Sequence, residues 1–432
     1  MRQKKNMTGK VLALLLAALS PVFLLTACSN RKTQQTKDWE AELRENQYVQ
    51  PRDPNTAAVC HNGILYFVQT CYENVTVTEY EGGFYSSQAD CRCKLLYYAD
   101  LTTGESGVLC GRPECAHADA SCSAYIQESQ DTKLMVYQDR LYRVEYSFSM
   151  GGKARLVSTA LDGSDLIVEK QLDALFASAS MGQVYLYRDR IYVCGCANKV
   201  SNGVPHNSIV VYSEPLEGDE SPQVIFEENP DCPGWSVAGR IRNGNLFFVV
   251  SFDPYSAQDE TTEEPSFQPT RIYACHLSDG SLEQLYHDVL ENMAPIDALF
   301  AEDDRLILRS PGELVCFSLS DRTVSRVYSP ETEHATFLAN GVIGAIGEES
   351  NWSFYRENGE TIFSAPLQCE PFGDKRPFYD EIGVCDGIVC RFAGMGYPNP
   401  YQCFLVTFDL KDQSFHVIWE NECTGPATEK KD

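Results

Sequence analysis

Basic residues are scarce in this sequence. Its 432 residues include 35 Lys and Arg against 61 Asp and Glu, which gives a formal net charge of −26. Binding to nucleic acid requires cationic side chains that neutralise many phosphates, so a chain this acidic is a poor candidate for that role. We therefore expect no nucleic-acid partner.

Signature motifs of catalysis are also lacking. There is no Gly-x-Ser-x-Gly elbow, no His-Glu-x-x-His and no phosphate-binding loop, and the seven His show no paired spacing. Adjacent acidic residues do occur, but among 61 carboxylates such pairs arise by chance, and most belong to solvated turns. The sequence therefore identifies no catalytic residue and no cofactor-binding residue. It leaves enzymatic activity open and favours a non-enzymatic role.

The apolar run at the start of the chain is too short to cross a membrane as a helix. Residues 1–10 are basic, and Val11–Leu25 then form an apolar stretch that Ser20 and Pro21 interrupt. A spanning helix needs about 20 such residues. A basic start, a short apolar stretch and small residues together are typical of an export signal that is removed after transport.

The tetrad Leu25-Thr26-Ala27-Cys28, at the end of this stretch, resembles the lipobox of bacterial lipoproteins. The resemblance implies cleavage before Cys28, a diacylglycerol group on its sulfur and, in many bacteria, acylation of the new amino terminus with a fatty acid such as palmitate. Residues 1–27 would then be a signal peptide and residues 28–50 a lipid-anchored polar tether. We accordingly expect a protein held on the outer side of the cell membrane by its lipid.

A pair of sequence phrases recurs along residues 61–420. The first phrase is a turn such as Asn-Gly, Asp-Gly or Asp-Arg followed by an alternating apolar strand, and such turns favour tight hairpins. The second is a short strand that ends in a polar turn, as at Leu96–Leu101 before Thr103-Gly104. The first phrases begin at Asn62, Asp139, Asp189, Asn243, Asp304, Asn340 and Asp386.

This repetition has a period of about 51 residues, with about four short strands in each unit, and it predicts an all-β β-propeller. We expect seven four-stranded blades within residues 51–424, followed by a polar tail at 425–432. Six or eight blades stay alternatives, because the spacing between first phrases varies. Residues near 47–60 are candidates for completing the last blade.

The phrase pair resembles the blades of exported bacterial β-propeller lipoproteins of uncharacterised function, which carry YWTD-like or quinoprotein-like repeats. The resemblance covers nearly all of the chain after the tether. The YWTD tetrad itself is absent, and with only four Trp the chain lacks the tryptophan-docking repeats of quinoproteins. The resemblance therefore implies the fold and the export but no particular activity.

Cysteines are abundant, and seven of the 18 fall between residues 60 and 122. The densest group, Cys110, Cys115, His117 and Cys122, has the spacing Cys-x4-Cys-x-His-x4-Cys, which can fold around one ion. Thiolates and imidazole suit zinc, but an exported protein also favours disulfides. We predict that this segment is a structural staple on the first blade, made by disulfides or plain thiols or by a structural zinc ion; a catalytic thiol is the third alternative.

Two Cys-x-Cys pairs and two single cysteines are predicted to be core residues. Cys91 and Cys93, like Cys194 and Cys196, are two residues apart and would face the same side of a strand. Free cysteine packs as a small apolar side chain. Cys275 and Cys316 fall in second phrases and have the same interpretation.

Three functions fit these observations. The first is a binding module that recognises a protein, a peptide or a glycan through the loops on one face of the propeller or through its channel. The second is a carbohydrate-active hydrolase or lyase that uses acids facing the channel. The third is a scaffold for assembly of the cell envelope.

Overall fold

The computed structural model of the protein describes residues 58–430 with internal gaps. The gaps are residues 81–83, 128–129, 148–152, 173–182, 202–203, 219, 230–234, 254–267, 291–295, 297, 311–312, 328–335, 340, 347–350, 367–377, 386, 396, 399–401 and 423–426. The chain separates into two units, Met1–Ala41 and Glu42–Asp432, and every described residue belongs to the second. The predicted signal peptide and tether, with Cys28, lie outside the described residues. Within the described part, no helix is long and apolar enough to span a membrane.

The described strands form seven antiparallel sheets, which are the blades of a β-propeller. The prediction of an all-β propeller with seven four-stranded blades is therefore confirmed. The first blade contains β1 (Ala58–His61), β2 (Ile64–Tyr80), β3 (Phe84–Asp100) and β4 (Ser106–Val108), and β5 (Tyr125–Gln127) also pairs with β3. The second blade contains β6 (Gln130–Tyr137), β7 (Arg140–Ser147), β8 (Lys153–Ala160) and β9 (Ile167–Gln171).

The next four blades have the same order of strands. The third contains β10 (Gln183–Tyr187), β11 (Arg190–Ser201), β12 (Val204–Pro215) and β13 (Gln223–Glu228). The fourth contains β14 (Trp235–Arg242), β15 (Asn245–Phe252), β16 (Thr270–His276) and β17 (Leu282–Asp288). The fifth contains β18 (Ala298–Ala301), β19 (Arg305–Ser310), β20 (Glu313–Ser318) and β21 (Val324–Arg326). The sixth contains β22 (Thr336–Ala339), β23 (Val342–Ile346), β24 (Asn351–Arg356) and β25 (Thr361–Pro366).

Two short strands from the end of the chain join the first blade. The seventh blade contains β26 (Phe378–Cys385), β27 (Ile388–Met395), β29 (Gln402–Asp409) and β30 (Ser414–Glu422). Between β27 and β29, β28 (Tyr397–Pro398) pairs in parallel with β3. Within the predicted polar tail, β31 (Ala427–Lys430) pairs in parallel with β2.

The first blade begins at β1, and this corrects the expectation for residues 58–60, while residues 47–57 lie outside the described residues. Residues 58–60 do not complete the last blade, because the tight turn at Asn62-Gly63 pairs His61 with Ile64 and so commits β1 to β2. The four strands of the last blade all come from residues 378–422.

Local backbone geometry explains the first phrase. Asn62 and Gly63 have φ angles of 51° and 75°, as a tight hairpin turn of this type requires. In the Asp-Arg version the turn is one residue earlier, because Gln138 and Asp139 have φ angles of 51° and 56° and Arg140 already begins β7. The phrase therefore encodes a turn with two left-handed residues between the first and second strands of a blade.

A recurrent hydrogen bond explains why the two phrases occur together. The leucine that ends the second phrase donates its N–H to the carbonyl of the first-phrase turn in the same blade. The bonds are Leu101 to Gly63 (2.9 Å), Leu216 to Asp189 (2.8 Å), Leu277 to Gly244 (2.9 Å), Leu319 to Asp304 (2.8 Å) and Leu410 to Gly387 (3.5 Å). Each bond satisfies a backbone carbonyl at the end of a blade.

The apolar core lies between blades. At the junction of the first and last blades, the Phe67 ring centroid lies 5.0 Å from that of Phe392 and 5.1 Å from that of Trp419. The same cluster includes Leu65 and Leu405, both fully buried. This aromatic packing joins the last blade to the first.

Candidate functional site

The cysteine loop, residues 109–124, interrupts the outer strand of the first blade. β4 pairs with Tyr97–Ala99 of β3, and β5 pairs with Cys93–Leu95 along the same edge. Between them, Leu96 accepts a hydrogen bond from the Leu109 N–H (2.8 Å) and donates its own N–H to the Ala124 carbonyl (2.9 Å). The loop therefore leaves the strand and returns to it at one residue.

Two glycines bring the cysteine loop into close contact with the second blade. A Cβ at Gly163, whose φ is +77°, would lie 2.5 Å from the Leu109 carbonyl oxygen. A Cβ at Gly111 would lie 2.7 Å from the Ser164 Cβ. The beginning of the loop and the β8–β9 turn therefore approach each other more closely than a side chain at Gly111 or Gly163 would permit.

A buried ion-pair network holds the end of the cysteine loop. Arg143 of β7 donates a hydrogen bond from Nη1 to the Ser123 carbonyl (2.7 Å) and one from Nε to Glu145 (2.6 Å). Arg155 binds the second carboxylate oxygen of Glu145 at 2.6 Å. Because buried charges are tolerated only when they are paired and hydrogen-bonded, this network fixes the geometry of the junction.

Four side chains converge inside the cysteine loop, and they are the four that the sequence predicted. The ligand atoms of Cys110, Cys115, His117 and Cys122 all lie within 4.8 Å of one another. Tetrahedral zinc, with bonds of about 2.0–2.3 Å, separates its ligand atoms by roughly 3.3–3.8 Å. The cluster can therefore hold a metal ion after small side-chain adjustments.

The backbone at His117 directs its ring toward the cysteines. His117 has a left-handed φ of 53°, a conformation that is more common for His than for most other residues. Its Nδ1 lies 3.2 Å from the Cys122 Sγ. This left-handed residue lies between Cys115 and Cys122 in the chain, and the ligand atoms of all three residues lie within 4.8 Å of one another.

Electrostatics in the cluster favour thiolates at one end. Arg112 donates a hydrogen bond from Nη2 to the Cys115 Sγ at 3.3 Å, and it also donates to the Ser121 carbonyl. Burial opposes ionisation of Cys110, but hydrogen bonds from the Arg112 backbone, Ser123 and the neighbouring thiols outweigh it and lower the pKa of Cys110 to about 7. Burial raises the pKa of Cys122 to about 12. Arg112 is positioned to offset the net negative charge that three thiolates around a divalent cation would carry.

The loop cysteines are free thiols in the structure, whereas Cys60 on β1 is disulfide-bonded. Cys194 and Cys275 are buried, which confirms their interpretation as core residues. Cys196 and Cys316 are partly buried.

A groove at the junction of the first and last blades was missed by the sequence analysis. It has a volume of about 360 Å³. Its lining residues are Leu101, Thr102, Thr103, Gly104, Ile388, Thr407, Asp409, His416, Val417 and Ile418. They provide threonine hydroxyl groups, one carboxylate and one imidazole, together with aliphatic side chains. We refer to this site as the seam groove.

Both walls of the seam groove are turns that an aspartate stabilises. Asp100 Oδ1 accepts hydrogen bonds from the N–H groups of Thr102 (2.8 Å) and Thr103 (3.0 Å). The backbone hydrogen bonds from Thr103 and Thr102 hold the pKa of Asp100 below its usual range. On the opposite wall, Asp409 Oδ1 accepts a hydrogen bond from the Lys411 N–H (2.7 Å). The groove is therefore preformed, as small-ligand sites generally are.

One trio beside the seam groove contains the residue types of a hydrolase triad, but in the wrong order. The Ser414 hydroxyl lies 2.9 Å from His416 Nε2 and donates to Asp412 Oδ1 at 2.5 Å. In a catalytic triad the carboxylate orients the histidine, whereas here it binds the serine directly. The trio therefore stabilises a turn and does not form a nucleophile.

No family model and no curated protein matches this sequence. Among solved structures, the chain is similar to a prolyl endopeptidase at 9% identity and a TM-score of 0.52, covering 89% of this chain and 51% of that chain. It is similar to a puromycin-hydrolyzing peptidase of Mycobacterium tuberculosis at 12% identity and a TM-score of 0.50, covering 90% of this chain and 56% of that one. The β-propeller domain of the Trilobed protease from Pyrococcus furiosus matches at 12% identity and a TM-score of 0.47, covering 86% of this chain and 99% of that one.

The chain thus spans about half the length of the two peptidases. At such low identity the likeness shows the fold alone, and that fold is a β-propeller.

Proposed function

We propose that this chain is a lipid-anchored, outward-facing β-propeller that binds a peptide segment of a protein partner in the seam groove. The observation that carries the proposal is the groove itself, a preformed cavity between two rigid turns on blades that are far apart in the sequence. A ring of blades presents loops that can recognise a partner without disturbing the strands.

The lining of the seam groove favours a peptide over a glycan. None of the described residues that line it is Phe, Tyr or Trp, so no large aromatic ring is available there to stack on a sugar. Ile388, Val417 and Ile418 are aliphatic and partly buried, and Thr102 and Thr103 are exposed. Asp409 adds a carboxylate, and the chain as a whole carries a charge of −26. This combination suits a peptide with a basic side chain next to small aliphatic ones.

Anchoring completes the proposal and rests on the tetrad that ends at Cys28. Lipid chains give stable attachment when two or more are present. The acidic body is repelled by anionic lipid headgroups, so the lipid and tether would hold the propeller away from the membrane surface.

A structural zinc ion in the cysteine loop is also part of the proposal. Three sulfurs and one imidazole nitrogen are a donor set that zinc occupies in closed structural sites. The ion would tie the loop together where it joins the first and second blades. In this structural role the ion would have no open coordination position and would take no part in a reaction.

Photo-crosslinking in intact cells tests the binding site. A photoreactive residue at Thr103, in the groove, is expected to give one main protein adduct, and the same residue at Thr323 is expected to give none. Thr323 is the control position, because it is an exposed threonine in the β20–β21 turn of the fifth blade, the counterpart of the β3–β4 turn that contains Thr103. Equal labelling from both positions would contradict the proposal, and an adduct that glycosidases remove would identify a glycan.

A charge variant sharpens this test. Asp409→Asn keeps the oxygen that caps the turn but removes the charge, so the Thr103 adduct should weaken about tenfold if a basic side chain is recognised. Asp412→Asn, outside the lining, should leave the adduct unchanged. An adduct that is insensitive to Asp409→Asn would exclude the charged contact.

Fractionation tests the anchor separately. Cys28→Ala should release the protein from membranes or leave it unprocessed. A Cys28→Ala protein with a normal mature mass and normal membrane fractionation would contradict the anchoring proposal without affecting the groove.

The comparisons alone would favour a hydrolase, since two of the similar structures are peptidases. The likeness at 9% and 12% identity concerns the fold only, and the trio at Ser414 lacks the geometry of a triad. A serine hydrolase therefore draws no support from this trio, and the alternative of a hydrolase that uses acidic residues stays second to the binding role.

A further inference from the structure

A second pair of cysteines lies opposite each other on neighbouring strands. Cys71 of β2 and Cys93 of β3 are direct partners in the antiparallel register, immediately before an irregularity that separates Cys71 from Tyr72. The pair therefore sits at the root of the long β2–β3 hairpin, where this hairpin extends beyond the blade.

The geometry permits a bond between the two sulfurs without movement of the strands. Residues directly opposite each other in an antiparallel pair have Cα atoms about 4.5 or 5.5 Å apart. Disulfides form when the Cα atoms are about 4.4–6.8 Å apart. Either type of antiparallel pair falls within that range.

The two sulfurs differ in accessibility and in environment. Cys93 is buried, while Cys71 is partly exposed, and its Sγ lies 3.9 Å from the Tyr97 hydroxyl. Interaction with the Cys71 sulfur, followed by the neighbouring Arg92, lowers the pKa of Cys93 to about 6 against the effect of burial. Ionisation of the pair is therefore favoured at the inner sulfur.

We infer that Cys71 and Cys93 are a redox-active dithiol that closes to a cross-strand disulfide by exchange with a small external disulfide. Two observations support this inference: the direct pairing of Cys71 with Cys93 in the strand register, and the partial exposure of Cys71 beside a buried Cys93.

The exchange balances as two thiol–disulfide steps. The proton of the Cys71 thiol moves to the Cys93 thiolate, and the resulting Cys71 thiolate attacks the external disulfide, breaking its S–S bond and forming a mixed disulfide. The departing thiolate takes the proton from Cys93. The Cys93 thiolate then attacks the Cys71 sulfur and releases the second external thiolate. The pair loses two electrons, and the external disulfide is reduced to one thiol and one thiolate.

Peptide mapping of the full-length chain tests the inference. The protein is purified with its thiols reduced and equilibrated with mixtures of reduced and oxidised glutathione. It is then quenched in acid, alkylated and analysed by mass spectrometry. We expect a cross-linked peptide joining Cys71 to Cys93 that grows as the oxidised fraction rises and disappears again in excess reduced glutathione.

Variants separate the roles of the two sulfurs. Cys93→Ser should trap Cys71 as a stable glutathione adduct, and Cys71→Ser should leave buried Cys93 unmodified. Cys91→Ser is the matched control, because Tyr72 and not a cysteine stands opposite Cys91, and it should leave the cross-link unchanged.

Two outcomes would overturn the inference. One is full alkylation of both Cys71 and Cys93 in every mixture. The other is a cross-link that joins either of them to Cys91 or Cys403 instead. Both outcomes are read in the parent protein and do not depend on the folding of a variant.

Discussion

The first and fifth blades of this propeller are built differently. The fifth blade occupies residues 298–326, its strands are three to six residues long, and its central residues Leu306, Ile307 and Leu308 are fully buried. The first blade has two strands of 17 residues and an outer strand that the cysteine loop divides into β4 and β5. The residues of this loop between Cys110 and Ser121 are mostly exposed.

This difference shows that the two blades need different sources of stability. The fifth blade is held by burial of apolar surface, at about 25 cal/mol per Å². An exposed loop gains little from burial and must offset an ordering cost of roughly 1–2 kcal/mol per residue. The cysteine loop therefore needs a local cross-link that the short turns of the fifth blade do not, and the cluster of Cys110, Cys115, His117 and Cys122 is in a position to provide it.

The largest expected effect comes from removing one ligand. Cys115→Ser should lower the free energy of unfolding by about 2–5 kcal/mol, the range for losing a native cross-link. Cys316→Ser in the fifth blade, also a partly buried free thiol, should cost only about 1 kcal/mol. Denaturant melts of the two variants measure the difference, and equal losses would show that the cysteine loop is not a staple.

The next effect concerns the contact between the loop and the second blade. Gly163→Ala would introduce a Cβ 2.5 Å from the Leu109 carbonyl, whereas Gly104→Ala, at a similar φ of +75°, meets nothing within 4 Å. Both variants carry the left-handed strain of about 1–2 kcal/mol, and Gly163→Ala adds an overpacking cost of about 1–3 kcal/mol. If thermal melts show the same decrease in melting temperature for both variants, the loop accommodates the extra methyl group without cost, and the contact with the second blade is not tight.

A smaller effect is expected from the charge beside the cluster. Arg112→Gln should weaken metal binding about 10-fold, as loss of an outer-shell partner commonly does, because it removes the cation next to Cys115. Arg322→Gln, which removes an exposed ion pair with Glu283 at 2.6 Å, should leave metal affinity unchanged. Competition with a chromophoric chelator measures the metal affinity of both variants. An unaltered affinity in Arg112→Gln would show that Arg112 does not support the metal site.

The smallest effect is a pH dependence that the blades share. Hydrogen bonds from Thr103 and Thr102 lower the pKa of Asp100, and those from Ser281 lower the pKa of Asp279. A carboxyl group whose pKa is lower in the folded state stabilises it above the unfolded pKa of about 3.9, and this stability is lost as the pH falls through the folded value. Melting temperatures should therefore decline below about pH 4, and Asp279→Asn should flatten part of that decline.

The proposed metal site would give the first blade a different pH dependence. Protons compete with the metal for the thiolates, so the difference in melting temperature between metal-loaded and chelator-treated protein should shrink as the pH falls from 7. This change should be complete before the aspartates are protonated. A single transition below pH 4 in both samples would show no separate contribution from the cluster.

The number of blades could be predicted from the sequence because its signals are local. Turn residues such as Asn62-Gly63 recur at intervals that can be counted along the sequence. The leucines that bond to these turns, such as Leu101, recur with them. The four ligands of the cysteine loop were visible for the same reason, since they fall within 13 residues of one another.

Features that depend on distant residues could not be predicted. The division of the outer strand becomes visible only when β4 and β5 are seen on the same edge of β3. The seam groove combines residues near Thr103 with residues near His416, and the Cys71–Cys93 pair depends on the register of two long strands. No spacing rule in a single sequence indicates such contacts.

Elemental analysis of the full-length chain, purified without chelators, tests the central claim most directly. The account predicts about one zinc ion per chain in the parent protein, a similar amount in Cys316→Ser and almost none in Cys115→Ser. The contradicting result is a parent protein that contains no metal and has a disulfide between two of Cys110, Cys115 and Cys122. That disulfide would lower the intact mass by two hydrogens relative to the protein with free thiols in the loop.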